Sequence, residues 1–316
     1  MQKKNKLKIA IVGSGYMAHE YAKVIKKLNN CEINGVFSRR YNRAKLFSKK
    51  YKIKIVGKSI KDLYFRTRAQ GVIIAISPDQ IKKISKEIFK FPWISLIEKP
   101  VGITFKEAES INKIAKKLKH LSYIALNRRQ YSSTLKSINL LKRDSSKRLV
   151  NIYGQEDYNL LKKYKFSKKI MDNYMFVNGI HLIDYMTIFC RGRLKKIDKI
   201  FRWNGFTGGY VLSVFYYSSG DVATFSTIWN KPFPWQVIVT TQKQKIELKP
   251  LETCKSSSLN KQNRETHKID IKDKTFKPGI YNQTLEFIKG IKKKKNSLMK
   301  INHGCNLMKY LDIIYK

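Results

Sequence analysis

The chain has 316 residues, 42% of them hydrophobic, which is enough for globular folding and more than one ordinary core holds. No apolar run approaches the ~20 residues of a membrane-spanning helix. Four widely spaced cysteines (Cys31, Cys190, Cys254 and Cys305) form no C-x-x-C pair or Cys/His cluster, so neither a metal site nor a disulfide framework is expected.

Lys3, Lys4 and Lys6 precede an apolar segment. That segment is short, contains Lys8 and runs into a glycine turn, so a mature cytoplasmic N-terminus is expected rather than a signal peptide. Lys8–Val12 reads as a buried parallel strand. Gly13-Ser14-Gly15-Tyr16-Met17-Ala18 follows, and Ala18–Leu28 reads as a helix with Tyr21, Val24, Ile25 and Leu28 on one face. A strand ending in G-x-G-x-x-G/A and opening a helix is a dinucleotide fingerprint. Gly13 permits the tight turn, Gly15 lets a pyrophosphate approach the backbone, and Ala18 allows close helix–strand packing. The helix then offers its N–H groups and positive end to phosphate.

Further strands are expected at Ile33–Phe37, Ile53–Val56, Gly71–Ile76, Ile94–Ile97 and Ser122–Leu126. Helical patterns at Asn42–Tyr51, Ser59–Tyr64, Pro78–Phe89 and Thr104–Leu118 separate them, with Thr104 and Glu107 forming a capping box. This alternation predicts an α/β fold with a doubly wound parallel sheet over residues 1–126. Beyond Asn127 the pattern becomes β-rich: Leu149–Tyr158, Lys195–Asn204, Tyr210–Tyr217, Val222–Trp229, Val237–Thr241 and Lys245–Leu248. These predict a second domain, 127–316, built on an antiparallel sheet. Helices are expected at Gly179–Phe189, Ile280–Ile291 and Gly304–Tyr315, and an irregular polar excursion at Lys255–Asp273.

The 66 basic and 22 acidic residues give a formal net charge of +44, which attracts polyanions. The basic residues are spread over the whole chain, and Lys292–Lys295 is the one run of four. Lys, Asn and Ile all have A/T-rich codons, so genome composition accounts for the charge more simply than a nucleic-acid footprint does. No specific nucleic-acid or membrane partner is expected, although phosphates and nucleotides would benefit from the field.

Ligands of such sheets bind beyond the carboxyl ends of the strands. The second strand ends at Ser38-Arg39-Arg40, where an NAD site usually has an acid for the ribose hydroxyls. A hydroxyl followed by arginines suits a 2′-phosphate or stacking on adenine, which favours NADP and leaves NAD open. The alternative is that these arginines are merely solvated. The fourth strand ends at Ile76-Ser77-Pro78, beside the expected ribose and nicotinamide half. The fifth ends at Glu98-Lys99-Pro100, where Lys99 can hydrogen-bond a substrate oxygen, Glu98 can orient the lysine and Pro100 can fix the turn.

Four motifs, in order and spacing, resemble the Gfo/Idh/MocA oxidoreductases: Gly13–Ala18, Glu98-Lys99-Pro100, Asn127-Arg128-Arg129 and Gly179-Ile180-His181-Leu182-Ile183-Asp184. Lys277-Pro278-Gly279-Ile280-Tyr281 is also similar. The resemblance implies a Rossmann domain followed by an α/β domain with a large, mostly antiparallel open sheet. It implies NAD(P)-dependent redox chemistry on a sugar, polyol or sugar nucleotide, and a homodimer or homotetramer. It assigns substrate binding and proton transfer to Lys99 and His181, matches Asp184 to the motif's acid as a further substrate-binding residue, and sets Asn127 near the nicotinamide. Many members carry an Asp four residues before the histidine, whereas this chain has Val177. Arg128, Arg129, Tyr131 and Asp157 are further candidates for substrate contact. The expected function is therefore a cytoplasmic NAD(P)-dependent oxidoreductase of a sugar, polyol or sugar nucleotide, with surface polysaccharide synthesis as one setting. The alternative is a non-catalytic dinucleotide-binding regulatory or scaffold protein.

Overall fold

Ile9, Ala10, Ile11 and Val12 are fully buried in the computed structural model, which describes residues 6–164, 166–258 and 264–316. They form the inner part of a parallel sheet, where a strand covered on both faces reads as a continuous apolar run. The sheet contains Leu7–Val12 (β1), Cys31–Phe37 (β2), Ile55–Val56 (β3), Gly71–Ile74 (β4), Ile94–Glu98 (β5) and Ser122–Ala125 (β6). Their order is β3-β2-β1-β4-β5-β6, all parallel. The chain reverses its direction of winding between β1 and β4, so a crevice opens at their carboxyl ends. Tyr16–Ile25 (α1), Tyr41–Tyr51 (α2), Ile60–Thr67 (α3), Ile81–Ile88 (α4) and Phe105–Lys117 (α5) connect the strands. Their starts follow local chemistry. Ser59 accepts from the Asp62 N–H before α3, and Thr104 accepts from the Glu107 N–H before α5. Pro78 opens a short 3₁₀ turn, Pro78–Gln80, ahead of α4.

The chain divides into two compact units, Met1–Asn127 with Thr275–Asn306, and Arg128–Lys274 with Leu307–Lys316. Residues 275–306 thus pack with the Rossmann sheet, although they lie far beyond the domain boundary expected near 126.

The second unit begins with Ser132–Leu141 (α6), a helix the β-rich reading omits. Leu149–Glu156 (β7) follows, then two short helices, Tyr158–Lys163 (α7) and Lys168–Met171 (α8), and the long Tyr174–Phe189 (α9). Leu194–Phe201 (β8), Tyr210–Tyr217 (β9), Val222–Trp229 (β10), Gln236–Thr240 (β11) and Gln244–Leu248 (β12) continue the sheet. The polar excursion expected over Lys255–Asp273 instead contains Lys255–Ser258 (β13), Glu265–Thr266 (β14) and the start of Ile271–Thr275 (α10); residues 259–263 lie outside the described residues. Strand pairing with β12 satisfies its backbone groups, which polarity alone does not reveal. The eight strands run β14-β13-β12-β11-β7-β10-β9-β8, antiparallel except for β7 with β10. This is the α/β architecture with a mostly antiparallel second sheet that the sequence predicts.

Ile280–Ile291 (α11) belongs to the first unit, where Ile291 and Phe287 lie against Gly71 at the start of β4. Ile301–Tyr315 (α12) ends in the second unit, and its Tyr315 hydroxyl lies 2.9 Å from the Thr227 hydroxyl of β10. Among the described residues no helix is long and apolar enough to cross a membrane, and no cluster of potential metal ligands forms. All four cysteines are unbridged and buried.

Candidate functional site

The glycine turn sits in the crevice between β1 and β4. The Gly13 N–H donates to the Phe37 carbonyl at 2.8 Å, and the Ala75 N–H donates to the Val12 carbonyl at 2.8 Å. Gly13 has φ +121°, and a Cβ there would lie 2.0 Å from the Ala75 carbonyl oxygen and 3.3 Å from Ile76 Cγ2. The turn itself therefore requires glycine. Gly15 differs. Its φ is −89°, open to any residue, and a Cβ there would meet nothing within 4 Å. Folding does not demand glycine at this position, whereas close approach by an outside group does. No side chain caps α1, and no acid lies in its first turn, so its first N–H groups and positive pole remain available to an anion. Tyr16 is exposed, Met17 packs against the core of this unit, and Ala18 is fully buried. This cradle fits the pyrophosphate of a dinucleotide, to be held by the backbone of residues 13–18.

The ends of the neighbouring strands converge on the same turn. The Ser14 hydroxyl donates to Ser38 Oγ at 3.0 Å. Arg39 is exposed, and its Nη1 donates to Gln80 Oε1 at 3.0 Å. Gln80 in turn donates to Asp79 at 2.9 Å, and Ser77 donates to the other Asp79 oxygen at 2.5 Å. Burial alone would raise the Asp79 carboxyl, but the Ser77 and Gln80 hydrogen bonds and the Arg39 charge outweigh it and hold it low. The guanidinium is thus steered by a hydrogen-bonded chain that links the ends of β2 and β4.

Glu98 closes β5 as a buried carboxylate. It accepts from the Tyr21 hydroxyl at 2.6 Å, and Tyr21 accepts from Gln283 Nε2 at 2.8 Å. Burial pushes the Glu98 carboxyl up, against the Tyr21 hydrogen bond, the charges of Lys99 and Lys277, and the Lys99 backbone N–H. Burial and the Glu98 charge push the Tyr21 hydroxyl well up, so it stays a donor. The lysine expected to be oriented by the Glu98 side chain meets it through its backbone N–H and its charge. Lys99 itself is half-buried at the strand's end, and its bond to Pro100 is cis. Asn127 is buried, and its Nδ2 donates to the Pro278 carbonyl at 3.0 Å. The sequence marks Tyr21 only as an apolar position on α1 and Lys277 only as part of a motif, and it gives no sign of Gln283. Two of them come from a segment that folds back from more than 150 residues away, a pairing no local pattern reveals.

In the second unit, α9 starts at Tyr174, five residues before the expected Gly179. His181 therefore lies inside the helix and not near its positive end. Gly179 reads as a helix start in sequence, yet its role is packing: a Cβ there would sit 3.3 Å from Leu311 Cδ2. His181 and Asp184 are both buried. Asp184 binds Arg129 in a two-pronged ion pair, with Nε and Nη2 each donating at 2.7 Å. Asp184, expected to contact substrate, is thus committed to Arg129, which also donates to Thr187. Asp157, a candidate for substrate contact, caps α7 by accepting from the Leu160 N–H at 2.8 Å.

Glu156, at the end of β7, is a residue the sequence reading passed over. Alternation along β7 sends Val150, Ile152, Gly154 and Glu156 to the face covered by α9. A Cβ on Gly154 would lie 2.2 Å from Leu182 Cδ1, and one helical turn away Asn178 Nδ2 donates to Glu156 Oε2 at 2.9 Å. A carboxylate therefore stands beside the residue that follows Val177. Burial and the Glu156 charge push the Tyr174 hydroxyl up to about 12. Arg128 stacks on Trp235 at 4.6 Å, and its buried Nη1 has no hydrogen-bond partner among the described residues. Tyr131 is buried beside it and caps α6 with its backbone. A guanidinium held over an aromatic ring with one nitrogen left to donate suits an anionic or polyhydroxylated ligand.

Residues 7–125 match the model of an oxidoreductase family with an NAD-binding Rossmann fold, GFO_IDH_MocA. No curated protein sequence matches the chain. Among solved structures, a dehydrogenase from Chromobacterium violaceum has 15% identity and a TM-score of 0.83, covering 98% of this chain and 94% of that one. UDP-N-acetylglucosamine 3-dehydrogenase GnnA from Acidithiobacillus ferrooxidans has 12% identity and a TM-score of 0.77, covering 98% and 97%. The dehydrogenase MviM from Clostridium difficile has 15% identity and a TM-score of 0.77, covering 98% and 99%. At these identities the likeness is one of fold. Over residues 7–125 the chain thus matches the NAD-binding Rossmann unit of an oxidoreductase family, and over its whole length it shares the fold of these dehydrogenases.

Proposed function

We propose that this protein transfers hydride between NAD(P) and a carbon bearing a hydroxyl or carbonyl in a sugar or sugar nucleotide. The observation that carries the proposal is Lys99, half-buried at the end of β5, with its backbone N–H and charge facing the buried Glu98, in the same unit as the glycine cradle. When bound, the nicotinamide supplies the hydride acceptor or donor. Lys99 is the proposed donor to the reacting oxygen, stabilising negative charge as it develops there. In the second unit, His181 is the proposed proton-exchange group. The Glu156–Asn178 pair supplies a carboxylate near the position held by Val177. Arg39 favours NADP. The UDP-sugar dehydrogenase among the structural neighbours and the Arg128 guanidinium over Trp235 support a sugar-nucleotide substrate, with surface polysaccharide synthesis as its setting. A cytoplasmic location and a homodimer or homotetramer complete the proposal.

Lys99→Ala tests it. NADPH affinity should stay within about twofold of wild type, while turnover of a UDP-sugar panel should fall by about 10²-fold or more. Near-normal turnover would remove Lys99 from the chemistry. Val177 favours a second reading, a dinucleotide-binding regulator without turnover. NADPH binding with no hydride transfer to any sugar or polyol tested would support that reading.

A further inference from the structure

We infer that Lys277 is a cofactor-binding residue that neutralises the dinucleotide pyrophosphate from a segment remote in sequence. The inference rests on the reading that the glycine turn binds NAD(P). The Lys277 ammonium lies 5.3 Å from the centroid of the Tyr16 ring, and Tyr16 is the first residue of α1. It therefore lies over a side chain carried by the positive pole of a helix whose first turn contains no acid and whose cap contributes no side-chain hydrogen bond. A cation at that end of a helix is unfavourable by itself. Among the described residues Lys277 has no ion-pair partner. Glu98, a carboxylate that feels its charge, is already hydrogen-bonded to Tyr21.

The lysine is nevertheless held in place. The next residue, Pro278, gives its carbonyl to Asn127 at 3.0 Å, and the preceding Phe276 stacks on Tyr281 at 5.5 Å. Gly279, at φ +74°, then opens α11. Two sources of positive potential, the α1 pole and Lys277, thus converge beside Gly15, where a Cβ would enter open space. An anion with more than one charge satisfies both. The contact with Tyr16 is weak enough to yield to it, at ~0.5–1 kcal/mol for an exposed cation over a ring.

The test compares wild type, Lys277→Met and Lys277→Arg by NADPH fluorescence titration, with ADP and AMP as competitors. In Lys277→Met the dissociation constants of NADPH and ADP should rise about tenfold, AMP should change by about twofold or less, and Lys277→Arg should recover most of the loss. Raising the ionic strength should shrink the difference between wild type and Lys277→Met. An unchanged NADPH constant in Lys277→Met, with wild type binding normally, overturns this assignment alone. Equal losses for AMP and ADP overturn the pyrophosphate as its target. Failure of wild type to bind NADPH overturns the dinucleotide reading and this inference with it. Equal melting temperatures for the three proteins exclude misfolding as the cause.

Discussion

Gly13 and Gly15 stand two residues apart in one turn, yet substitution should separate stability from binding. An alanine at Gly13 would occupy φ +121° and place its Cβ 2.0 Å from the Ala75 carbonyl oxygen. The backbone strain alone costs ~1–3 kcal/mol, and relieving the overlap must move the end of β4. Gly13→Ala should therefore lower stability by more than about 3 kcal/mol. At Gly15 φ is −89° and a Cβ finds no atom within 4 Å. Loss of a favourable cap residue and reduced freedom of the unfolded chain oppose each other there, each at ~0.5–1 kcal/mol. Gly15→Val should thus leave the urea midpoint almost unchanged. The same side chain projects into the proposed pyrophosphate cradle, so NADPH affinity should fall more than tenfold, about 1.4 kcal/mol. Urea unfolding followed by fluorescence and NADPH titration measure the two quantities on one preparation. A Gly15→Val protein that binds NADPH like wild type would refute the assignment of the cradle.

Three other outcomes follow from particular contacts. Arg39→Ala should weaken NADPH binding more than NADH binding in parallel titrations, and equal effects would remove the 2′-phosphate from the argument. Asp184→Asn leaves the largely buried Arg129 guanidinium without its counter-charge, so urea unfolding should show a loss of about 3–5 kcal/mol; an unchanged midpoint would show that the pair contributes nothing to the fold. Burial lowers His120 from 6.5 to about 4 in the folded chain. The unfolded chain therefore takes up the proton first, so stability should be full above pH ~6.5 and should fall as the pH drops towards 4, by on the order of 3 kcal/mol. His120→Gln should flatten that decline in pH-dependent melts, and an unaltered profile would assign it to other groups.

What the sequence revealed was local. The glycine turn, the Thr104 cap and the buried run in β1 each depend on residues a few positions apart, and the structure contains all of them. What remained hidden depended on distant partners. Glu156 was legible in principle, since alternation in β7 sends it to the buried face, but its importance emerges only once α9 brings Asn178 to it. Tyr21 looked like one more apolar position on α1 until Gln283 and Glu98 turned its hydroxyl into the centre of a buried hydrogen-bonded chain. Asp184 looked like a site acid because the motif names it, whereas Arg129, from the other part of the same motif set, absorbs its charge. The start of α9 was misplaced because glycine marks helix ends more often than helix interiors, and packing against Leu311 decided otherwise.

The central claim is that this fold binds a nicotinamide dinucleotide for redox chemistry. Native mass spectrometry of freshly purified protein, followed by denaturing extraction and identification of any released nucleotide, tests it most directly. The account predicts recovery of NADP(H) or NAD(H), or stoichiometric uptake when NADPH or NADH is added. A protein that emerges empty and binds neither would contradict it.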